Sequence, residues 1–112
     1  MTRKLHNYLR TYRKRAALSQ DEVAFLLGMN GGAKISRHER RSGVPTLETA
    51  LAYEALYGVP VRELYAGVYE KVEQEVKRRA RTLAGRLDGG DPVTGRKLER
   101  LPAVSSGAAN PS

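Results

Sequence analysis

At 112 residues with 40% hydrophobic side chains, the chain has room for one small domain plus extra segments and a modest core. It contains no cysteine, which excludes a disulfide framework and a thiolate zinc site. Its formal charge of +8 is uneven, with ten Lys/Arg against three Asp/Glu in residues 1–43, two against six in 44–75 and eight against three in 76–112.

The spacing of Leu5, Tyr8, Leu9 and Tyr12 predicts a first helix over residues 5–15, with Arg10, Arg13, Lys14 and Arg15 on its other faces. Ser19-Gln20-Asp21-Glu22 is a capping box that starts a second helix, and Val23, Ala24, Phe25, Leu26 and Leu27 supply its apolar face. Gly28 ends it in a left-handed cap. Met29-Asn30-Gly31-Gly32 reads as a turn, with Asn30 as N-cap of a third helix that runs from about Gly32 to Arg41. Ser42-Gly43-Val44-Pro45 breaks the chain. Thr46 caps a fourth helix, which Gly58 and Val59-Pro60 terminate.

A fifth helix is predicted from Val61. Leu64, Val68, Val72 and Val76 recur every four residues, and Leu83 and Leu87 extend the stripe. Carried to Leu87, it would reach roughly 40 Å at 1.5 Å per residue. Such a helix outreaches a small core, so its distal half is expected to need a partner. Residues 88–112, rich in Gly, Pro, Ser and Ala, are expected to be a disordered tail.

Two helices joined by a short glycine-containing turn, the second flanked by basic residues, form a helix-turn-helix. An α-helix fits the major groove of B-DNA, where base edges distinguish all four base pairs. The basic first block is the side expected to meet a polyanion, with the acidic middle turned away. In full, the chain resembles the Cro/C1-type (XRE) helix-turn-helix family. The resemblance rests on Leu9-Arg10, Leu18 to Ala24, Leu27-Gly28, Ile35-Ser36-Arg37, Glu39-Arg40, Pro45-Thr46-Leu47-Glu48, Tyr57 to Pro60 and Glu63-Leu64-Tyr65. It covers about residues 5–66 and does not extend to 67–112.

The resemblance implies an all-α, five-helix lambda-repressor-like DNA-binding domain at 1–66, and the spacing and composition beyond it predict a helical extension at 67–87 and the tail at 88–112. It implies a phosphate contact and a brace for the recognition helix at Gln20, with Ser19 beside it. Gly32, Ala33 and Arg37 match base-facing positions, with Lys34 and Ser36 beside them. Arg40, Arg41 and Ser42 match the stretch that meets the DNA backbone. Arg10 and Glu39 match an ion pair between the first and third helices. The turn before Ile35 is one residue longer than the family spacing, and Gly32 and Ala33 offer little side chain for reading. Hydrogen-bond readout is therefore expected mainly from Arg37. The amides of Gly31-Gly32 are a candidate phosphate contact.

His38 is expected to be a partly buried histidine with a hydrogen-bond partner, and His6 a surface residue. Their separation gives no ligand spacing, so no metal site and no cofactor are expected. Tyr53, Tyr57, Tyr65 and Tyr69 fit core or interface positions better than stacking platforms. The run Lys77-Arg78-Arg79-Ala80-Arg81 is either a solvated face or a second phosphate contact. No nucleophile–base set, phosphate loop or paired carboxylate is visible, so no enzymatic activity is expected. No stretch approaches the roughly 20 apolar residues of a membrane span. The start Met1-Thr2-Arg3-Lys4 leads into no apolar run, so a cytoplasmic protein is expected.

The expected partner is double-stranded DNA, bound by a two-fold homodimer joined through Leu64, Val68, Val72 and Val76, as in a repressor on a palindromic operator. The alternative is an antitoxin or adaptor that docks a protein through residues 67–112.

Overall fold

A computed structural model describes residues 4–87 and 91–106, and among them it is entirely helical. The helices are α1 Leu9–Arg15, α2 Gln20–Leu26, α3 Ala33–Glu39, α4 Leu47–Tyr57, α5 Val61–Leu64, α6 Ala66–Arg86 and α7 Pro92–Ser106. They divide into two compact units, residues 1–69 and 70–112.

In the first unit one core holds α1 to α5 together. Leu9, Val23, Ala24, Ile35, Tyr53 and Leu64 are each fully buried, and Leu18, Leu27, Leu56 and Tyr57 pack around them. Every helix of the unit contributes a side chain to this cluster, so no pair of helices is stable alone.

Local signals set the helix ends. The capping box is present at α2, where Ser19 Oγ accepts the Glu22 N–H at 3.0 Å and Glu22 Oε1 accepts the Ser19 N–H at 2.8 Å. Thr46 Oγ1 accepts the Thr49 N–H at 3.2 Å and starts α4. The ends of α1, α2 and α3 each close with a residue in the left-handed region, namely Ala17 (φ 59°), Gly28 (φ 75°) and Arg41 (φ 70°). At α3 the Ser42 N–H reaches the Arg37 carbonyl at 3.0 Å, and the Arg41 N–H reaches that of His38 at 3.4 Å. This is the Schellman pattern, in which orphan carbonyls of the last turn are recovered.

Five expectations are corrected. The first helix starts at Leu9 rather than residue 5, because Asn7 Oδ1 accepts the Leu9 N–H at 3.1 Å and turns the chain there. The N-cap of the third helix is Gly32 rather than Asn30.

The fifth helix is not continuous. It breaks at Tyr65 (φ −114°, ψ 45°), leaving the short α5 and the long α6. The break is filled by the segment before α1. The Leu64 carbonyl accepts the Tyr8 N–H at 2.7 Å, and the Gly67 N–H donates to the Leu5 carbonyl at 2.9 Å. Backbone groups at the junction are thus satisfied across the fold rather than along one helix. Consequently Leu64 is a core residue with 0% exposure and not part of a dimer surface.

In the second unit, the segment expected to be disordered carries α7. Asp91 accounts for it: its Oδ1 accepts the Thr94 N–H at 2.8 Å, its Oδ2 accepts the Thr94 hydroxyl at 2.9 Å, and Pro92 takes the first helical position. Residues 88–90 and 107–112 of the expected tail lie outside the described residues. Along α6, Lys77 sits 3.6 Å from Glu73, and Arg78 and Arg79 sit 3.1 and 3.8 Å from Glu75. Pairs at this spacing on a helix surface are screened by water and add little to stability. They make much of the Lys77 to Arg81 run a self-paired helix surface.

Candidate nucleic-acid interface

The recognition helix α3 is short and pinned along one side. Ile35 (0% exposed) and His38 (4% exposed) face the core. Helical geometry then turns Ala33 and Arg37, four residues apart, to the opposite face, with Ser36 and Arg40 beside them. Ala33, Lys34, Arg37 and Arg40 are all exposed, and Ser36 is half-buried. The structure thus brings Ala33, Lys34, Ser36, Arg37 and Arg40 onto or beside one outward face.

Gly32 is not among the outward residues. Its N–H donates to Asp21 Oδ1 at 2.8 Å. A Cβ built on it would stand 2.9 Å from Gln20 Cβ and 3.0 Å from the Gln20 backbone carbon. Gly32 is therefore the point where α3 presses on α2, and its amide is not open to a phosphate. The lack of a side chain serves close packing rather than base reading.

The far end of α3 is tied down by charge. Arg13 Nε meets Glu39 Oε2 at 2.7 Å and a terminal nitrogen meets Glu39 Oε1 at 3.0 Å, so the pair is bidentate. A second terminal nitrogen of Arg13 donates to the Leu18 carbonyl at 3.1 Å, and Gln20 Nε2 donates to Glu39 Oε1 at 3.2 Å. The hydrogen bond with Glu39 holds the Arg13 guanidinium above its ordinary pKa, against the opposing effect of burial. The expected partner of Glu39 was Arg10. Arg10 instead lies exposed, one turn before Arg13 on α1. Gln20 thus reaches from α2 to the last residue of α3.

Above this ion pair lies an open cleft of about 400 Å³, rimmed by Arg10, Ser19, Gln20, Ser36 and Arg40 and floored by Arg13 and Glu39. The charge of Arg13 is spent on Glu39. Among the described residues the Arg10 side chain makes no hydrogen bond or ion pair, and the Arg40 side chain engages only the Ser36 carbonyl, at 3.4 Å through Nε. Two guanidiniums with unused donors, two hydroxyls and an amide converge on one concavity. That donor set suits a phosphate-sized anion. Arg41 and Ser42 stand exposed at the end of α3, with the Ser42 hydroxyl 3.3 Å from the Arg37 carbonyl.

His38 has the partner expected of it, Tyr53, whose hydroxyl lies 2.9 Å from Nδ1. Asn7 Nδ2 donates to the His38 carbonyl at 3.0 Å. Burial lowers the His38 pKa below its usual 6.5, and Lys34 and Arg37 lower it further. Below about pH 6.5 the unfolded chain takes up a proton at this histidine that the folded chain refuses. Stability is therefore complete above that pH and falls as the pH drops from there towards the folded-state pKa. Urea midpoints at pH 7.5 and 5.5 should show the fall in the wild type and a smaller one in His38→Gln.

Tyr53, Tyr57 and Tyr65 are core residues, as their spacing predicts, and Tyr69 is not. Tyr53 is fully buried, and its ring stacks on that of Tyr57 at 6.2 Å. Burial pushes Tyr57 and Tyr65 up to about 12. Tyr69 is 39% exposed. Of the remaining surface residues, Val72 and Val76 are exposed and Val68 is half-buried on α6. No group of residues able to hold a metal ion occurs among the described residues. No helix among them is long and apolar enough to cross a membrane.

Sequence reasoning missed Arg13, Asn7 and Asp21. Only Asp21 carried a local signal, as an acid in the first turn of α2. The roles of Arg13 and Asn7 depend on contacts 26 and 31 residues away.

No curated protein and no solved structure matches the chain. A family model for the helix-turn-helix domain matches residues 5–66, more than half of the chain. That span covers α1 to α5, the outward face of α3 and the cleft beside it. The protein belongs to the helix-turn-helix domain family, the fold of a DNA-binding regulator.

Proposed function

We propose that this protein is a sequence-specific transcriptional regulator, a repressor of the Cro/C1 type, that inserts α3 into the major groove of operator DNA. The outward face of α3 carries the reading, because Ala33, Lys34 and Arg37 are exposed while Ile35 and His38 anchor the opposite side. Arg37 is the one long hydrogen-bonding side chain near the middle of that face. Bidentate contact with a guanine edge is worth about 1–3 kcal/mol of discrimination. Ala33 supplies a methyl suited to a thymine methyl. Arg10, Ser19, Gln20 and Arg40 bind a backbone phosphate in the cleft, and Arg41 and Ser42 bind the next one.

The functional unit in this reading is a two-fold dimer joined through Val68, Val72 and Val76 on a palindromic site. It acts in the cytoplasm as a binding protein, not an enzyme. Selection of bound sequences from a random DNA pool at fixed salt tests it, with a palindrome as the expected product. Arg37→Ala should cost about 1–3 kcal/mol on the selected site and relax the preferred base at one position. Arg41→Gly should weaken binding to all sequences alike and reduce the salt slope by about one. A pool that yields no preferred sequence would sink the proposal.

A further inference from the structure

The side chains of two consecutive residues on α2 grip the two ends of α3. Gln20 Nε2 donates to Glu39 Oε1, at the last residue of α3, at 3.2 Å. Asp21 Oδ1 accepts the N–H of Gly32, at the N-cap of α3, at 2.8 Å. No side chain of the α3 N-cap residue itself makes a cap hydrogen bond. Asp21 takes that place from the neighbouring helix, as an acid beside the positive end of the helix dipole. Gly32 admits the contact because a Cβ there would meet Gln20 and Asp21 at 2.9 Å.

A helix of seven residues is about 10 Å long at 1.5 Å per residue. Held at one end only, it can swing about that end while its buried Ile35 stays seated. Held at both, its tilt is fixed. Tilt decides how deeply Ala33 and Lys34, next to the Gly32 end, enter a groove.

We infer that Asp21 is a positioning residue for base recognition: it sets the tilt of α3 through the Gly32 amide and so determines which base is read at the Ala33 and Lys34 end. The inference rests on the DNA-binding reading above. Asp21 is exposed and belongs to no ion pair among the described residues, so its carboxylate is otherwise an unfavourable charge on a DNA-facing side.

The test uses the full chain with Asp21→Ala and Asp21→Asn. Asn keeps the Oδ1 acceptor and removes the charge. Each variant is put through random-pool selection, and its affinity for the wild-type site and for unrelated DNA is measured at the same salt. The Gly32 amide resonance reports the hydrogen bond independently of DNA.

Asp21→Ala should shift that resonance upfield and lower the ratio of specific to non-specific affinity by about tenfold, the order of one charge-assisted hydrogen bond. The preference should blur at the Ala33 and Lys34 end of the half-site and stay sharp at the Arg37 position. Binding to unrelated DNA should hold or strengthen. Asp21→Asn should restore the sequence preference. An unmoved Gly32 resonance in Asp21→Ala overturns the inference, as does an unchanged profile in that variant beside a sequence-specific wild type. A wild type with no preferred sequence overturns the DNA-binding reading and this inference with it, and the Gly32 resonance tells the two failures apart.

Discussion

Glu39→Ala is expected to lower the unfolding free energy by about 3–5 kcal/mol, while Arg10→Ala changes it by less than about 0.5 kcal/mol. The difference follows from burial. The side chain of Glu39 is 3% exposed and that of Arg13 is 10% exposed. Deleting the carboxylate leaves the Arg13 guanidinium out of water with only the Leu18 carbonyl to accept from it, and it also strips Gln20 of its acceptor. The loss is mainly the cost of a stranded charge rather than the net worth of the pair. Arg13→Ala should therefore cost a similar amount. Arg13→Met combined with Glu39→Leu should recover much of the stability, because neither partner is then left charged and dry. Urea denaturation of the four variants checks this, provided the slope with denaturant stays constant. Equal effects from Glu39→Ala and Arg10→Ala would refute the assignment of Arg13 as the partner.

The double variant separates stability from geometry. The Arg13–Glu39 pair joins α1 to α3, and Gln20 brings α2 to the same carboxylate. An apolar replacement can restore stability without restoring the directed hydrogen bonds. The stable double variant is thus expected to bind DNA less well than its unfolding midpoint suggests.

What the sequence made legible was local. The capping box at Ser19 and Glu22, the threonine cap at Thr46 and the stop at Gly58 involve atoms within four residues of one another, and all three are in place. The helix-turn-helix was legible because the Ser19 capping box, the Gly28 stop, the glycine-containing turn after it and the basic residues flanking the next helix are all local patterns. Long-range partners were not legible in this way. Arg10 and Arg13 lie one turn apart on a basic helix, and nothing within α1 says which of them faces Glu39. The core decides, since burying Leu9 turns Arg13 inward and leaves Arg10 outside.

The same limit explains the break at Tyr65 and the helix at Pro92–Ser106. The stripe from Leu64 to Val76 has the period of one helix, but Tyr8 and Leu5 bond to the backbone inside it. Composition hid α7, although the pattern Asp91-Pro92-Val93-Thr94 is a helix start in its own right. Gly67 was equally silent, because a glycine between Ala66 and Val68 reads as a small flaw in a helix.

The structure gives Gly67 a definite task. A Cβ there would stand 2.8 Å from the Leu5 carbonyl carbon and 2.9 Å from His6 Cα, atoms of the main chain that cannot rotate away. Gly67→Val should therefore destabilise the protein near the upper end of the roughly 1–3 kcal/mol range of an overpacked site. Gly85, in the same helix, has nothing within 4 Å of the corresponding point. Gly85→Ala should stabilise by about 0.5–1 kcal/mol, through helix propensity alone. Two glycines of one helix are thus expected to respond with opposite signs, and thermal unfolding of both variants checks it.

The damage at Gly67 should also travel to the DNA-reading surface. The valine pushes on Leu5 and His6, and the next residue, Asn7, holds the His38 carbonyl near the end of α3 at 3.0 Å. Hydrogen exchange in Gly67→Val should show faster opening at the amides of Tyr8 and Ser42 than at those of α4. Tyr8 bonds to Leu64 at the disturbed junction, and Ser42 closes the last turn of α3. Uniform acceleration across the first unit would mean that the core, not this strap, transmits the strain.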